Sequence, residues 1–166
     1  MERLWAPWRL KYVTGAGGET QACIFCAGGD PSQDDLLLIR GSRCYVILNL
    51  YPYNTGHLMV VPTRHVATLA SMSADEQTEL MRFTRHAEIA LTEAYAPQGI
   101  NVGINLGRPA GAGVLDHLHV HLVPRWNGDT NFMPVLGQTT VVPQALQELA
   151  AQLRQALNAE IVNPKP

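Results

Sequence analysis

The chain has 166 residues, 46% of them hydrophobic, with a formal net charge of −2. That is enough apolar material for one domain whose core needs no covalent staple. The absence of a clustered Lys/Arg run excludes a nucleic-acid backbone binder, no apolar run approaches the roughly 18 residues of a membrane span, and three cysteines suit no disulfide framework.

The start, Met1-Glu2-Arg3-Leu4-Trp5, lacks the apolar stretch of a secretory signal, so a soluble cytoplasmic protein is expected. Residues 1–22, with Trp5, Trp8, Arg9, Lys11 and a Gly-rich end, read as an N-terminal arm. Residues 23–142 form the body of the domain, and 143–166 a C-terminal helix and tail of the same domain. Cys23-Ile24-Phe25-Cys26 opens the body, and a Gly/Asp/Pro turn region follows through Asp35. Tyr45-Val46-Ile47-Leu48 reads as a buried strand ending at Asn49. A connection through Gly56 leads to a second strand, His57 to Val61, stopped by Pro62.

Ser73-Ala74-Asp75-Glu76 is a capping-box pattern that opens a helix to about Tyr95. Leu80, Phe83, Ala87, Leu91 and Ala94 give that helix one apolar face, and Pro97 and Gly99 end it. Ile100 to Leu106 reads as a third strand and Gly107 to Gly113 as a Gly-rich loop. His117 to Val123 is a fourth strand closed by Pro124, and Pro143 suits the start of a terminal helix through about Asn158. The class is α+β, an antiparallel sheet with one long helix and a C-terminal helix.

Three of the six histidines lie within His117-Leu118-His119-Val120-His121. In a strand, residues at i, i+2 and i+4 share a face, so the three imidazoles line one side while Leu118, Val120 and Leu122 bury on the other. Spread over roughly 13 Å of strand, they divide different tasks among themselves. Satisfied surface residues, a catalytic metal site and a nucleophilic imidazole are the competing readings; the last splits one phosphoryl displacement into two easier steps.

The loop Gly107-Arg108-Pro109-Ala110-Gly111-Ala112-Gly113 lacks both the P-loop ending and the Rossmann spacing. Its small residues let backbone N–H groups approach an anion closely, which favours phosphate cradling just before the histidine segment. Cys23-x-x-Cys26 alone is ambiguous among a redox pair, half a zinc site and two buried thiols; a redox pair would follow a strand, and nothing strand-like precedes it. Cys44 reads as a core thiol.

His117-Leu118-His119-Val120-His121-Leu122-Val123 matches the pattern His-φ-His-φ-His-φ-φ, with φ apolar, without departure. Together with Asn49, Gly56-His57, Pro62 and Asn105, it resembles the histidine-triad (HIT) family over roughly residues 23–127. The resemblance implies an antiparallel five-stranded sheet with one long helix and a C-terminal helix, a homodimer or a tetramer of paired dimers, and nucleotidyl transferase or hydrolase chemistry. By position, His119 is the nucleophile on the α-phosphate, and His121 binds that phosphate and the leaving-group oxygen. His57 supports the site through hydrogen bonding or packing, Asn49 contacts ribose, and Asn105 lies near the phosphates. Gly111, Ala112, Gly113 and Val114 line the phosphate loop, with Leu48 and Leu50 flanking a base pocket. In several branches an early Cys-x-x-Cys, a later histidine and the first triad histidine hold zinc; the resemblance maps that structural site to Cys23, Cys26, His65 and His117.

Arg3-Leu4-Trp5-Ala6-Pro7-Trp8-Arg9 and Pro124-Arg125-Trp126-Asn127-Gly128-Asp129 resemble the bacterial branch that contains diadenosine tetraphosphate phosphorylases. One departure stands in the loop: those enzymes tend to carry Gly-Ser where this chain has Ala112-Gly113, so a hydroxyl near the acceptor phosphate is missing. The leading expectation is phosphorolysis to ADP and ATP. The alternatives are hydrolysis of dinucleoside polyphosphates or adenylyl conjugates, and a non-catalytic nucleotide-binding protein.

Overall fold

The computed structural model describes residues 23–27, 35–114, 116–129 and 145–162. The expected N-terminal arm, Trp5, Trp8 and the Pro143 helix start lie outside them. The described elements are a one-turn helix α1 (Ile24–Ala27), strands β1 (Leu37–Arg40), β2 (Cys44–Leu48) and β3 (Leu58–Pro62), helix α2 (Ala74–Tyr95), strands β4 (Gly99–Ile104) and β5 (Val120–Arg125), and helix α3 (Leu146–Val162).

The five strands form one antiparallel sheet in the order β1-β2-β3-β5-β4. Every residue of β2 and β3 is buried, because both faces of the sheet are covered. Cys44, Val46, Leu48, Leu58, Val60, Leu118, Val120 and Leu122 point to one face and pack against α2 and α3. Tyr45, Ile47, Met59 and Val61 point to the other, joined there by Phe25 of α1. The period-2 pattern of each strand thus separates the main core from the face that carries the histidines.

Helix α2 begins at the expected capping box. Ser73 Oγ accepts from the Glu76 N–H at 3.3 Å, and Glu76 returns a carboxylate oxygen to the Ser73 N–H at 2.7 Å. It ends at Ala96, which turns left-handed at φ 44° just before Pro97. Leu80, Phe83, Ala87 and Leu91 face the core, as their spacing predicts, with Leu149, Leu153 and Leu157 of α3 packed beside them. Arg154 of α3 donates to the carbonyls of Leu37 and Asp35, which ties that helix to β1. Among the described residues no helix is long and apolar enough to cross a membrane.

Three boundaries differ from the sequence expectation. Strand β1 was not among the elements read from the sequence; it closes on β2 through a tight turn in which the Gly41 N–H donates to the Cys44 carbonyl. The third strand stops at Ile104, because the chain beyond Asn105 turns away through Gly107 at φ 81°. The triad strand pairs only from Val120, where its partners are Val60 and Ile104, and it continues through Pro124 to Arg125. His117, Leu118 and His119 precede the ladder, with the Leu118 N–H donating instead to the Val66 carbonyl at 2.7 Å.

Candidate active site

The segment entering β5 keeps the alternation of a strand. Leu118, Val120 and Leu122 go to the helix-side core, while His117, His119 and His121 emerge on the opposite face. Each of the three imidazoles meets a different partner, and those partners set its tautomer.

His119 Nδ1 donates to the backbone carbonyl of His117 at 2.9 Å. A carbonyl only accepts, so the proton sits on Nδ1 and the lone pair on Nε2. Burial holds the basicity of His119 below that of an ordinary histidine, opposed by the bond to the His117 carbonyl. The side chain is therefore a neutral imidazole with one basic nitrogen, the form a nucleophile needs.

His121 is governed by a second chain of hydrogen bonds. The backbone N–H of Tyr53 donates to His57 Nδ1 at 3.1 Å, which places the His57 proton on Nε2. His57 Nε2 then donates to His121 Nδ1 at 3.0 Å, leaving the His121 proton on its own Nε2. His57 is fully buried, and that burial, with His121 and His119 nearby, pushes its pKa down to about 3. The Tyr53 ring lies 4.6 Å from the His57 ring, and the rings of His119 and His121 meet edge-on at 4.7 Å. The site thus presents a basic nitrogen on one imidazole beside an N–H on its neighbour.

His117 belongs to another cluster. Its Nε2 donates to the Pro62 carbonyl at 2.8 Å, so the Nδ1 lone pair faces Cys23 Sγ at 3.2 Å and Cys26 Sγ at 3.7 Å. Cys26 Sγ also lies 3.3 Å from His65 Nδ1. The four donor atoms all fall within 4.8 Å of one another. Bonds of about 2.3 Å to sulfur and 2.0–2.1 Å to nitrogen in a tetrahedron separate S from N by about 3.6 Å, so the donor set fits a zinc ion. Desolvation within the cluster, followed by the hydrogen bond and charge of the neighbouring Cys23, raises the pKa of the Cys26 thiol. Cys44 is fully buried in the helix-side core, with its thiol pushed up to about 12 chiefly by burial.

The remaining expected residues are spread around this centre. Asn49 follows β2, its Oδ1 accepting from the Tyr51 N–H at 2.9 Å and its Nδ2 lying 3.4 Å from both ring nitrogens of His57. Asn105 Nδ2 reaches the Gly111 carbonyl at 3.4 Å and braces the loop from within. Arg108–Ala110 form a single 3-10 turn, closed by Gly111 at φ 95°. The N–H groups of Gly111 and Ala112 are spent inside that turn, on Arg108 and Gly107 carbonyls, and Gly113 and Val114 follow it. Val114 packs against the histidine-side cluster. Leu48 does not flank the site: it points into the helix-side core, whereas Leu50 is exposed.

Two contributors had no role in the sequence reading. Tyr53 sets the His57 tautomer through its backbone, a contribution to which no side-chain motif corresponds. Phe25 lies between the two cysteines, and its ring touches His119 at 4.8 Å and His117 at 5.5 Å between centroids. Its place as the buried member of Cys-Ile-Phe-Cys was a readable signal.

Comparison with known proteins shows the family and the fold. A family model described as the HIT domain matches residues 30–128. A protein of Mycobacterium tuberculosis named AP-4-A phosphorylase is 41% identical over 156 residues, covering 89% of this chain and 80% of the relative. A fission-yeast protein, from Schizosaccharomyces pombe, named bis(5'-nucleosyl)-tetraphosphatase [asymmetrical], is 34% identical over 82 residues, 49% of this chain and 44% of its own. Among solved structures, a Zn-bound histidine triad family protein from Mycobacterium smegmatis superposes with a TM-score of 0.70 at 25% identity, covering 87% of this chain and 98% of that one.

Proposed function

The chain belongs to the HIT-domain family and is a nucleotide-processing enzyme of it; from that premise we propose that it transfers a nucleotidyl group through a covalent intermediate on His119. The proposed reaction is phosphorolysis of diadenosine tetraphosphate. His119 Nε2 attacks the α-phosphorus, the bond to the bridging oxygen breaks, and ATP leaves while His121, through its Nε2 proton, stabilises the departing oxygen. Inorganic phosphate then attacks the adenylyl-histidine, releasing ADP and restoring the neutral imidazole. The observation that carries this reading is the bond from His119 Nδ1 to the His117 carbonyl, which leaves the attacking nitrogen unprotonated.

Support for the substrate comes from the relative named AP-4-A phosphorylase, with which the chain shares 41% of residues along most of its length. Asn49, Asn105 and the segment Gly111 to Val114, the last through Gly113 and Val114 beyond the turn, are the groups proposed to hold ribose and phosphates. Cys23, Cys26, His65 and His117 are proposed to hold a structural zinc, which, when bound, anchors His117 and offers no open position for water. Three cysteines free of disulfides support a reducing, cytoplasmic setting. A homodimer is supported by β4, an edge strand with Val102 half exposed and, among the described residues, no partner on its outer side.

Hydrolysis is the second reading, favoured by Ala112-Gly113 where the phosphorylase branch tends to carry Gly-Ser. Turnover of diadenosine tetraphosphate with and without orthophosphate tests the choice. ADP plus ATP formed only with phosphate supports phosphorolysis; AMP plus ATP formed without it makes the protein a hydrolase. His119→Ala should abolish turnover while nucleotide binding survives, and persistent turnover would remove the covalent step.

A further inference from the structure

The short helix α1 carries the two cysteines of the four-donor cluster, and between them it directs one side chain inward. Phe25 is only 4% exposed, whereas its neighbours Ile24 and Cys26 are exposed. Its backbone is pinned as well: the Phe25 carbonyl accepts from the Tyr45 hydroxyl at 2.6 Å, a buried bond to strand β2. So held, the ring lies across two triad histidines, edge-on to His117 at 5.5 Å and tilted against His119 at 4.8 Å. The His119 ring also meets His121 edge-on at 4.7 Å. An imidazole in contact with two rings and fixed by one Nδ1 bond has little freedom to turn.

We propose that Phe25 is a positioning residue for His119, and that through it the four-donor cluster and the nucleophile form one mechanical unit. The proposal rests on the reading of His119 as nucleophile and of Cys23, Cys26, His65 and His117 as a metal site. Two contacts join the centres. One is the Phe25 ring, which sits on the same helical turn as two donors of the cluster, next to Cys26 and two residues after Cys23. The other is the His117 backbone, whose side chain is a donor and whose carbonyl orients His119. Freeing the α1 turn from its donors would release both contacts together. The cluster then does more than hold the fold: it fixes the direction of the attacking lone pair without touching substrate.

The experiment uses the full-length zinc-loaded protein at one fixed pH. Metal content, kcat, KM and the nitrogen-edited NMR signals of the His119 ring are measured in the wild type, Phe25→Leu and Phe25→Ala. With zinc retained, Phe25→Ala should shift or broaden the His119 signals and lower kcat about 10- to 100-fold, with KM within about threefold, as misplacement of an attacking atom does. Phe25→Leu, which keeps most of the buried volume, should recover part of both; it also carries the test if the alanine variant fails to fold. Chelation of the wild type should reproduce the NMR change. An unchanged His119 signal in the loaded alanine variant, or after chelation, overturns the proposal. So does a raised KM with kcat preserved, which would make Phe25 a wall of the nucleotide pocket. Because the NMR readout needs no turnover, it is separable from the fate of the covalent mechanism, which His119→Ala decides.

Discussion

His57 Nε2 donates to His121 Nδ1 at 3.0 Å, and this one bond determines which nitrogen of the last triad histidine can face a leaving group. The bond is directional because the Tyr53 backbone N–H occupies the other nitrogen of His57. With both positions set, His121 carries its proton on Nε2, the nitrogen proposed to meet the leaving group. Removing His57 frees His121 to adopt either tautomer. His57→Leu, which can neither accept from Tyr53 nor donate to His121, should therefore lower kcat about 100-fold, at the low end of a general-acid contribution. The loss should be smaller with a substrate whose leaving group needs no proton, such as an adenylyl ester of an acidic phenol. Steady-state rates with both substrates check this; an equal loss on both would mean that His57 only packs.

The same residue makes the fold sensitive to pH. Burial, aided by His121 and His119, keeps His57 neutral down to about pH 3, whereas the unfolded chain takes up that proton near 6.5. As pH falls below 6.5 the unfolded state binds more protons, so stability falls, by up to about 1.4 kcal/mol per unit from this group. Glu76, pushed down to about 2 chiefly by its bond from Arg64, adds a loss only below its ordinary 4.5. Between pH 6.5 and 5 the wild type should thus lose about 2 kcal/mol to His57. Urea denaturation across this range should show a shallower slope for His57→Gln. Identical slopes would place the acid sensitivity in other groups.

The donor cluster leads to a stability prediction of its own. A metal that binds the folded chain alone, at a hundredfold excess over its dissociation constant, stabilises by about 2.7 kcal/mol. For a domain of this size that corresponds to about 5–11 °C in Tm. Chelation should lower Tm by that amount, and Cys26→Ser should show the lower value with or without zinc. A thermal scan of purified protein before and after chelation, with metal content measured alongside, provides the check. Equal Tm values in protein that has lost its zinc would show that the four donors do not stabilise the fold.

What could be read from the sequence, and what could not, follows physical lines. Alternation along His117 to Leu122 assigned each side chain to the correct face, since a period of two survives even where the ladder has ended. The capping box and the stripe from Leu80 to Leu91 located α2 for the same reason: both are local signals. Strand β1 escaped although Leu36-Leu37-Leu38-Ile39 is an apolar run ending at Gly41-Ser42, a signal of the same kind as the one that marked Tyr45 to Leu48. The link from Tyr53 to His57 was illegible, since a backbone N–H leaves no trace in residue identity. Phe25 was visible, yet nothing local assigns it to His119, which lies 94 residues away in sequence and reaches it only through the closed sheet.

The outer edge of β4 supports the last prediction. This strand pairs with β5 from Gly99↔Arg125 to Ile104↔Val120, and Gly103 sits opposite His121. Ile100 and Ile104 are partly buried against the helix-side core, while Val102 between them is half exposed. An uncharged edge of six residues with no partner strand among the described residues is a liability unless something covers it, and a second copy meeting it antiparallel would do so with the same residues on both sides. Val102→Lys places like charges close together across such a seam and disfavours it. Size-exclusion chromatography with light scattering should find the wild type at twice the 18.2 kDa chain mass and the variant at the monomer mass or in exchange. Since Gly103 borders His121, the monomeric variant should also lose activity although no catalytic group has changed. A wild type that runs as a monomer would show that β4 is not a dimer seam, and an unchanged rate in a monomeric variant would show that each subunit's site is complete by itself.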